Sequence, residues 1–276
     1  MDMWILLAVA LLLLQFNKKA SIGLLLITLV WAAVGGVIDG RAVIALAVIA
    51  ALALAYLKAG HHKVARYSLE LVLVVSAIGL TMHLIPGFHN PKVLDSVNAG
   101  PLSVPFSMYY NFDKALVPFV LLVVMKSLFV SEPESRPAKP WWGLLVASIP
   151  ALLLLAVALG GLKIEPHAAQ WLLPFLFANI FFVSLAEEAL FRGYLQQRLS
   201  GFMHPVLALV ISAAIFGALH FAGGPLLIVF AALAGLIYGL AWMWSGRLWV
   251  AVAFHVGLNA AHLLFFTYPM LRHIPH

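Results

Sequence analysis

The sequence predicts an all-α protein, a polytopic transmembrane helical bundle of about ten helices. Three observations carry that prediction. Apolar residues make up 64% of the 276 positions and charged residues only 9%, and the mean hydropathy is +1.05. Apolar runs of about 14–22 residues recur along the whole chain, the length that crosses a bilayer as a helix. Ten-residue blocks of alternating polarity, the mark of a membrane β-barrel, do not occur.

The apolar segments follow one another with turn chemistry between them. They cover 3–16, 20–38, 42–57, 67–86, 115–130, 141–159, 169–200, 205–221, 225–244 and 248–268. The first lacks a basic leader and a small-residue cleavage site, so it reads as a short retained helix rather than a signal peptide. "NKK", "IDGR" and "KAGHHK" separate the first four. Residues 86–114 then interrupt the pattern with Pro, Gly and Asn, which argues against a regular helix. Tyr109, Tyr110 and Phe112 suit a membrane interface, so the stretch reads as an extramembrane loop with an aromatic anchor, or as a lid. "SEPESRPAKP" is a solvated linker, dividing accessory N-terminal helices (1–140) from a functional core (141–276). Segment 169–200 is too long for one plain span. Its last third, with Arg192, Tyr194, Gln196 and Gln197, is expected to emerge or lie near the interface.

Basic residues fall unevenly on alternate sides of these segments. Eleven lie on one side, among them Lys18, Lys58, Lys126, Arg192 and Arg247, against five on the other: Arg41, Lys92, Lys114, Lys163 and Arg272. The positive-inside rule makes the first side cytoplasmic, with both termini outside. The net charge of +6 is therefore membrane topology; no basic stripe suggests nucleic acid. Cysteine is absent, which removes disulfides, thiolate nucleophiles and thiolate metal ligands.

Most ionisable residues sit near segment ends, within reach of water or headgroups. Arg66 and Glu70, at i,i+4, read as a local ion pair, and His61, His62, His83 and His89 as solvated. Three passages resist that treatment. In "EEALFR", Glu188 and Arg192 are spaced i,i+4 with the acid first, the favourable orientation, so Arg192 is expected to hold Glu188 ionised. Glu187, about 100° away around the helix, is left free to act as a general base. A charge-neutralising set that only fixes packing is the competing reading, but two acids to one base leave an excess charge that packing does not need. "FGALH" places Phe216 and His220 on one helix face. "FHVGLNAAH" places His255, Asn259 and His262 in a polar stripe, which interhelical hydrogen bonding alone would also explain.

Depth favours a shared site. Glu187 lies roughly 22 Å of helix before the turn near Gly201 and His220 roughly 26 Å after it, while His255 and Asn259 lie roughly 14–20 Å from the turn near Gly246. Ala231, Gly235 and Gly239, four apart, would let the intervening helix approach closely. Such a site suits hydrolysis by an activated water: Glu187 and His220 deprotonate it, and His255 and Asn259 donate to the oxyanion. Ser184 and Ser212 stand in no nucleophile motif. Glu and His leave a divalent metal such as zinc open, yet no H-E-x-x-H is present and the spacing demands no cofactor.

"EEALFR", "FGALH" and "HVGLN", in that order, resemble the EExxxR, FxxxH and HxxxN motifs of the CPBP family of intramembrane proteases, which includes the type II CAAX prenyl endopeptidases and the bacterial Abi proteins. Trp249 ahead of His255 also fits. The resemblance covers residues 170–262. It implies that Glu187 and His220 activate water, that His255 and Asn259 form the oxyanion site, and that Glu188 and Arg192, with Phe216 and Trp249, support them. It favours a metal-free, glutamate-type endopeptidase acting on a hydrophobic or lipidated peptide, among membrane lipids, in a bacterial cytoplasmic membrane. The alternative is a non-enzymatic membrane protein, either an immunity or peptide-binding factor or a transporter.

Overall fold

The computed structural model describes residues 2–272. Apart from one short turn of helix at Phe112–Ala115, its helices correspond one for one to the apolar segments: α1 (Asp2–Leu13), α2 (Lys18–Val34), α3 (Gly40–Lys58), α4 (Lys63–Thr81), α5 (Val117–Val124), α6 (Lys139–Ala158), α7 (Leu172–Ser200), α8 (Pro205–Ala218), α9 (Gly224–Ser245) and α10 (Leu248–Phe265). α3, α4, α6, α7, α9 with its preceding 3₁₀ turn, and α10 are long and apolar enough to cross a membrane; α1 and α8 are shorter apolar helices. The protein is an integral, multi-pass helical membrane bundle.

Loops predicted to share a side are joined to one another. Ser131 N donates to Gly246 O (2.8 Å) and Leu248 N to Phe129 O (3.0 Å) at one end of the bundle. At the other, Asp39 N donates to Gly87 O (2.9 Å), Thr267 N to Lys163 O (2.9 Å) and Arg272 N to Leu102 O (2.8 Å). The alternation of sides read from the charges is thus matched by backbone pairing.

Four expectations are refined or corrected. Residues 86–114 contain an antiparallel hairpin, β1 (Lys92–Val97) and β2 (Phe106–Tyr109), with Lys92 opposite Tyr109, Val97 opposite Phe106 and irregular register between. The stretch is docked. Phe106 packs on Trp171 and Tyr268, Tyr110 packs on Trp4, Phe177 and Phe182, and Glu165 accepts from Leu102 N (2.7 Å) and Ser103 Oγ (2.6 Å). Each aromatic pair adds about 0.5–1.5 kcal/mol beyond its buried area. Second, the last third of α7 packs inside the bundle rather than standing out from it. Arg192 is fully buried, and Gln196, 3% exposed, donates to Gly239 O (3.0 Å). Third, Glu70 does not pair with Arg66, which turns to Tyr56 (2.9 Å); Glu70 accepts from Tyr194 and Arg198 of α7, both at 2.8 Å. A buried carboxylate takes the partners that enclose it, here supplied by another helix. His83, likewise, lies against Asp113 rather than being merely solvated.

One apolar core runs through both halves of the chain, from Leu7 and Leu11 of α1 through Leu121 and Phe182 to Leu248 and Ala251. α7 is its axis. Two π-helical stretches, Asn179–Ser184 and Ala189–Gln196, flank a short α-helical turn at Leu185–Glu188. π-turns of this kind re-aim side chains and concentrate at functional sites.

Candidate active site

The α-helical turn between the two π stretches presents Glu187 and Glu188. Glu188, fully buried, accepts from Arg192 Nη1 (3.0 Å), one turn along α7, as the spacing predicts. The same oxygen faces His255 Nδ1 of α10 at 2.8 Å. Arg192 also donates from Nη2 to the carbonyl of Gly235 (2.9 Å). A side chain at Gly235 would press on this guanidinium and on the backbone at Ala213, each at 3.1 Å, so the α9 stripe of small residues serves this close approach. The rings of Phe216 and Tyr238 flank the guanidinium at 4.6 and 5.3 Å. Cation–π contact supplies part of what water would have given a charge buried this deeply.

Tyr238 stacks on His255 (centroids 4.6 Å, 11°), and Phe216 meets His255 edge-on at 6.0 Å. Phe216 also contacts His220 at 4.8 Å. It therefore stands between the two histidines. His220 is not in α8 as expected: the helix ends at Ala218, and His220 lies in the turn beyond it. Its Nδ1 is 2.8 Å from Phe216 O, so this nitrogen carries the proton and donates, leaving Nε2 as the acceptor of the neutral ring.

Asn259 Nδ2 donates to Asn179 Oδ1 (2.8 Å), and Asn179 Nδ2 in turn to Phe175 O (3.1 Å), inside the first π stretch. His262, third in the polar stripe, turns away to Thr267 O and Tyr268. Trp249 packs between the rings of Phe129 and Phe181. An apolar groove of about 470 Å³ between α1 and α7, lined by Ile5, Leu173, Pro174, Phe177, Ile180 and Phe181, includes none of the motif residues.

Glu187 is not free. Lys114, just ahead of α5, places Nζ 3.1 Å from Oε1, and both side chains are largely covered. The two acids are therefore matched by two bases, which corrects the sequence argument from excess charge. Lys114 sits 73 residues from its partner and read as a helix-end lysine, so nothing local announced it. Asn179 and Tyr238 were also missed; Asn179 is the lone amide in the run "WLLPFLFANIFFV", a signal of the kind that flagged Asn259. Among the described residues no three His, Asp or Glu side chains gather as a metal site.

Fold and site together define a multi-pass membrane protein with acidic, basic and imidazole side chains gathered among α7, α9, α10 and the turn after α8. Residues 169–261 match the family model described as type II CAAX prenyl endopeptidase Rce1-like, which supports a CPBP/CAAX protease family and, in general terms, a CAAX-type intramembrane protease. The matched segment is about a third of the chain and contains all of the motif residues. No curated protein and no solved structure matches the chain.

Proposed function

We propose that the protein is an intramembrane endopeptidase that hydrolyses a peptide bond of a membrane-associated or lipidated protein in a bacterial cytoplasmic membrane. The observation that carries this reading is that the segment matching the endopeptidase family is the one in which Glu188, Arg192 and His255 meet in one buried set. In this mechanism Nε2 of His220 holds a water and Glu187 takes its proton as it attacks the scissile carbonyl; the intermediate then collapses with cleavage of the C–N bond, and that proton passes to the departing amine. His255, kept in place by Glu188 and the Tyr238 ring, donates from Nε2 to the oxyanion when doubly protonated, with its Nδ1 bond to Glu188 intact. Asn259, oriented by Asn179, is the second donor. Arg192 fixes Glu188 and so acts one step removed. The reaction needs no metal in this scheme, because Glu187 is engaged by an ammonium and Glu188 by a guanidinium and an imidazole. Residues 1–140 form the accessory part, and 141–276 the protease core.

The test uses the full chain in lipid nanodiscs and a quenched fluorescent peptide with an S-prenylated CAAX terminus. Cleavage is expected with the normal chain, persisting in chelator, and a loss of at least 100-fold in Glu187→Gln and His255→Ala, in line with removal of a base or an oxyanion donor. Binding of the peptide without cleavage by any of the proteins would instead favour a peptide-binding or immunity factor.

A further inference from the structure

The matched segment leaves out the residue that pairs with its own Glu187. Lys114 belongs to the N-terminal half, and its ammonium is 3.1 Å from Glu187 Oε1, while Oε2 has no protein partner among the described residues. Both side chains keep only a small exposure, 15% and 13%. A carboxylate this covered needs a polar partner, and the cation beside it also fixes the direction in which it points.

The lysine is held by an unusual amount of structure. Asp113, 1% exposed, accepts from Lys114 N (2.9 Å) and Asn90 Nδ2 (3.0 Å) and faces His83 Nδ1 at 2.6 Å. Asn90 Oδ1 accepts from Phe112 N (2.8 Å), and the buried Phe112 ring lies edge-on to Trp4 of α1. His83 follows α4 and Asn90 precedes the hairpin. Three parts of the N-terminal half, α1, the end of α4 and the approach to the hairpin, thus fix the backbone from which Lys114 reaches α7. A lysine that merely needed to reach headgroups would require none of this.

Resting on the protease reading for its chemical meaning, we propose that Lys114 is a positioning residue of the active site, which binds one oxygen of Glu187 and leaves its other oxygen turned to the water. The N-terminal helices therefore complete the site. Arg192 cannot substitute, since its guanidinium is committed to Glu188 and Gly235.

The experiment is a double-mutant cycle on the full chain, with Lys114→Met, Glu187→Gln, the pair together, and Lys114→Arg. In thermal unfolding, Lys114→Met should lower the melting temperature in the normal background and much less when Glu187 is already Gln. On the prenylated fluorescent peptide, Lys114→Met should lower kcat on the order of 10- to 100-fold, as expected of a misplaced catalytic group. KM should stay within about twofold, and Lys114→Arg should restore part of kcat. Additive melting shifts would overturn the inference whatever the activity. So would coupled melting shifts with an unchanged kcat, which describe a packing pair only. A normal chain inert on the peptide but with coupled melting shifts upholds the Lys114–Glu187 pairing and counts instead against the protease reading.

Discussion

At Arg192 the chain buries a guanidinium completely in a membrane protein, an arrangement that calls for compensation, here incomplete because Nε has no partner among the described residues. Glu188, Gly235 O and two aromatic faces supply that compensation. Replacing Arg192 by Met leaves Glu188 with His255 alone; the expected loss is about 3–5 kcal/mol, the scale for stranding one partner of a buried pair. Thermal unfolding in detergent checks this, and the double variant with Glu188→Gln should recover part of the loss. Asn259 depends on Asn179 in a milder way. Asn179→Leu should leave the fold intact and reduce cleavage by about tenfold, because the neighbouring amide loses its orienting acceptor at a cost of about 1–2 kcal/mol. Which of these contacts the sequence exposed follows from their range. Glu188–Arg192 is one helical turn, set by spacing alone, and was legible. Glu187–Lys114 spans 73 residues and depends on how α5 docks against α7, which no local pattern encodes.

The helices carry a second set of constraints. At Gly217 of α8 an added Cβ would meet Ile228 O and the Cβ of Ala232 at 2.6 Å, and Ala232 N at 2.8 Å, mostly backbone that cannot step aside. Gly217→Ala should therefore force α8 and α9 apart and destabilise by about 1–3 kcal/mol. Because Phe216 and Gly235 lie at the same crossing, cleavage should fall with stability. At the start of α3, Asp39 caps the helix through Arg41 N and Ala42 N. The Arg41 side chain, with His89 adding less, holds the Asp39 carboxyl well below the usual carboxylate range. A lowered folded value contributes stability above the unfolded pKa of about 3.9 and forfeits it as the pH falls. The melting difference between the normal chain and Asp39→Asn should accordingly be full near neutrality and shrink below about pH 4, as unfolding curves at several pH values would show. Helix existence was legible from hydropathy throughout. The hairpin was hidden because its strands are short and irregular in register, and the π-turns because a helical pattern does not reveal where an extra residue is accommodated.

Across the whole molecule, the loop pairing at each end reproduces the alternation of sides read from lysine and arginine. The count itself changes. Arg192 and Lys114 are interior residues, so ten basic residues now face four, and the bias stands. The two halves are joined by polar contacts at both levels. Glu70 grips Tyr194 and Arg198 near one end of α7, while Lys114 grips Glu187 nearer the other. A linker at 131–140 was legible from composition; that the helices before it pack into one core with those after it was not, since apolar faces do not name their partners. The central claim is that this bundle cuts peptide bonds with Glu187. It is met most directly by comparing protein termini in the membrane proteomes of cells carrying the normal chain and its Glu187→Gln variant. New termini present with the normal chain and missing with the variant are the predicted result, and they identify the substrate. Identical termini, with both proteins folded and equally abundant, would contradict the account.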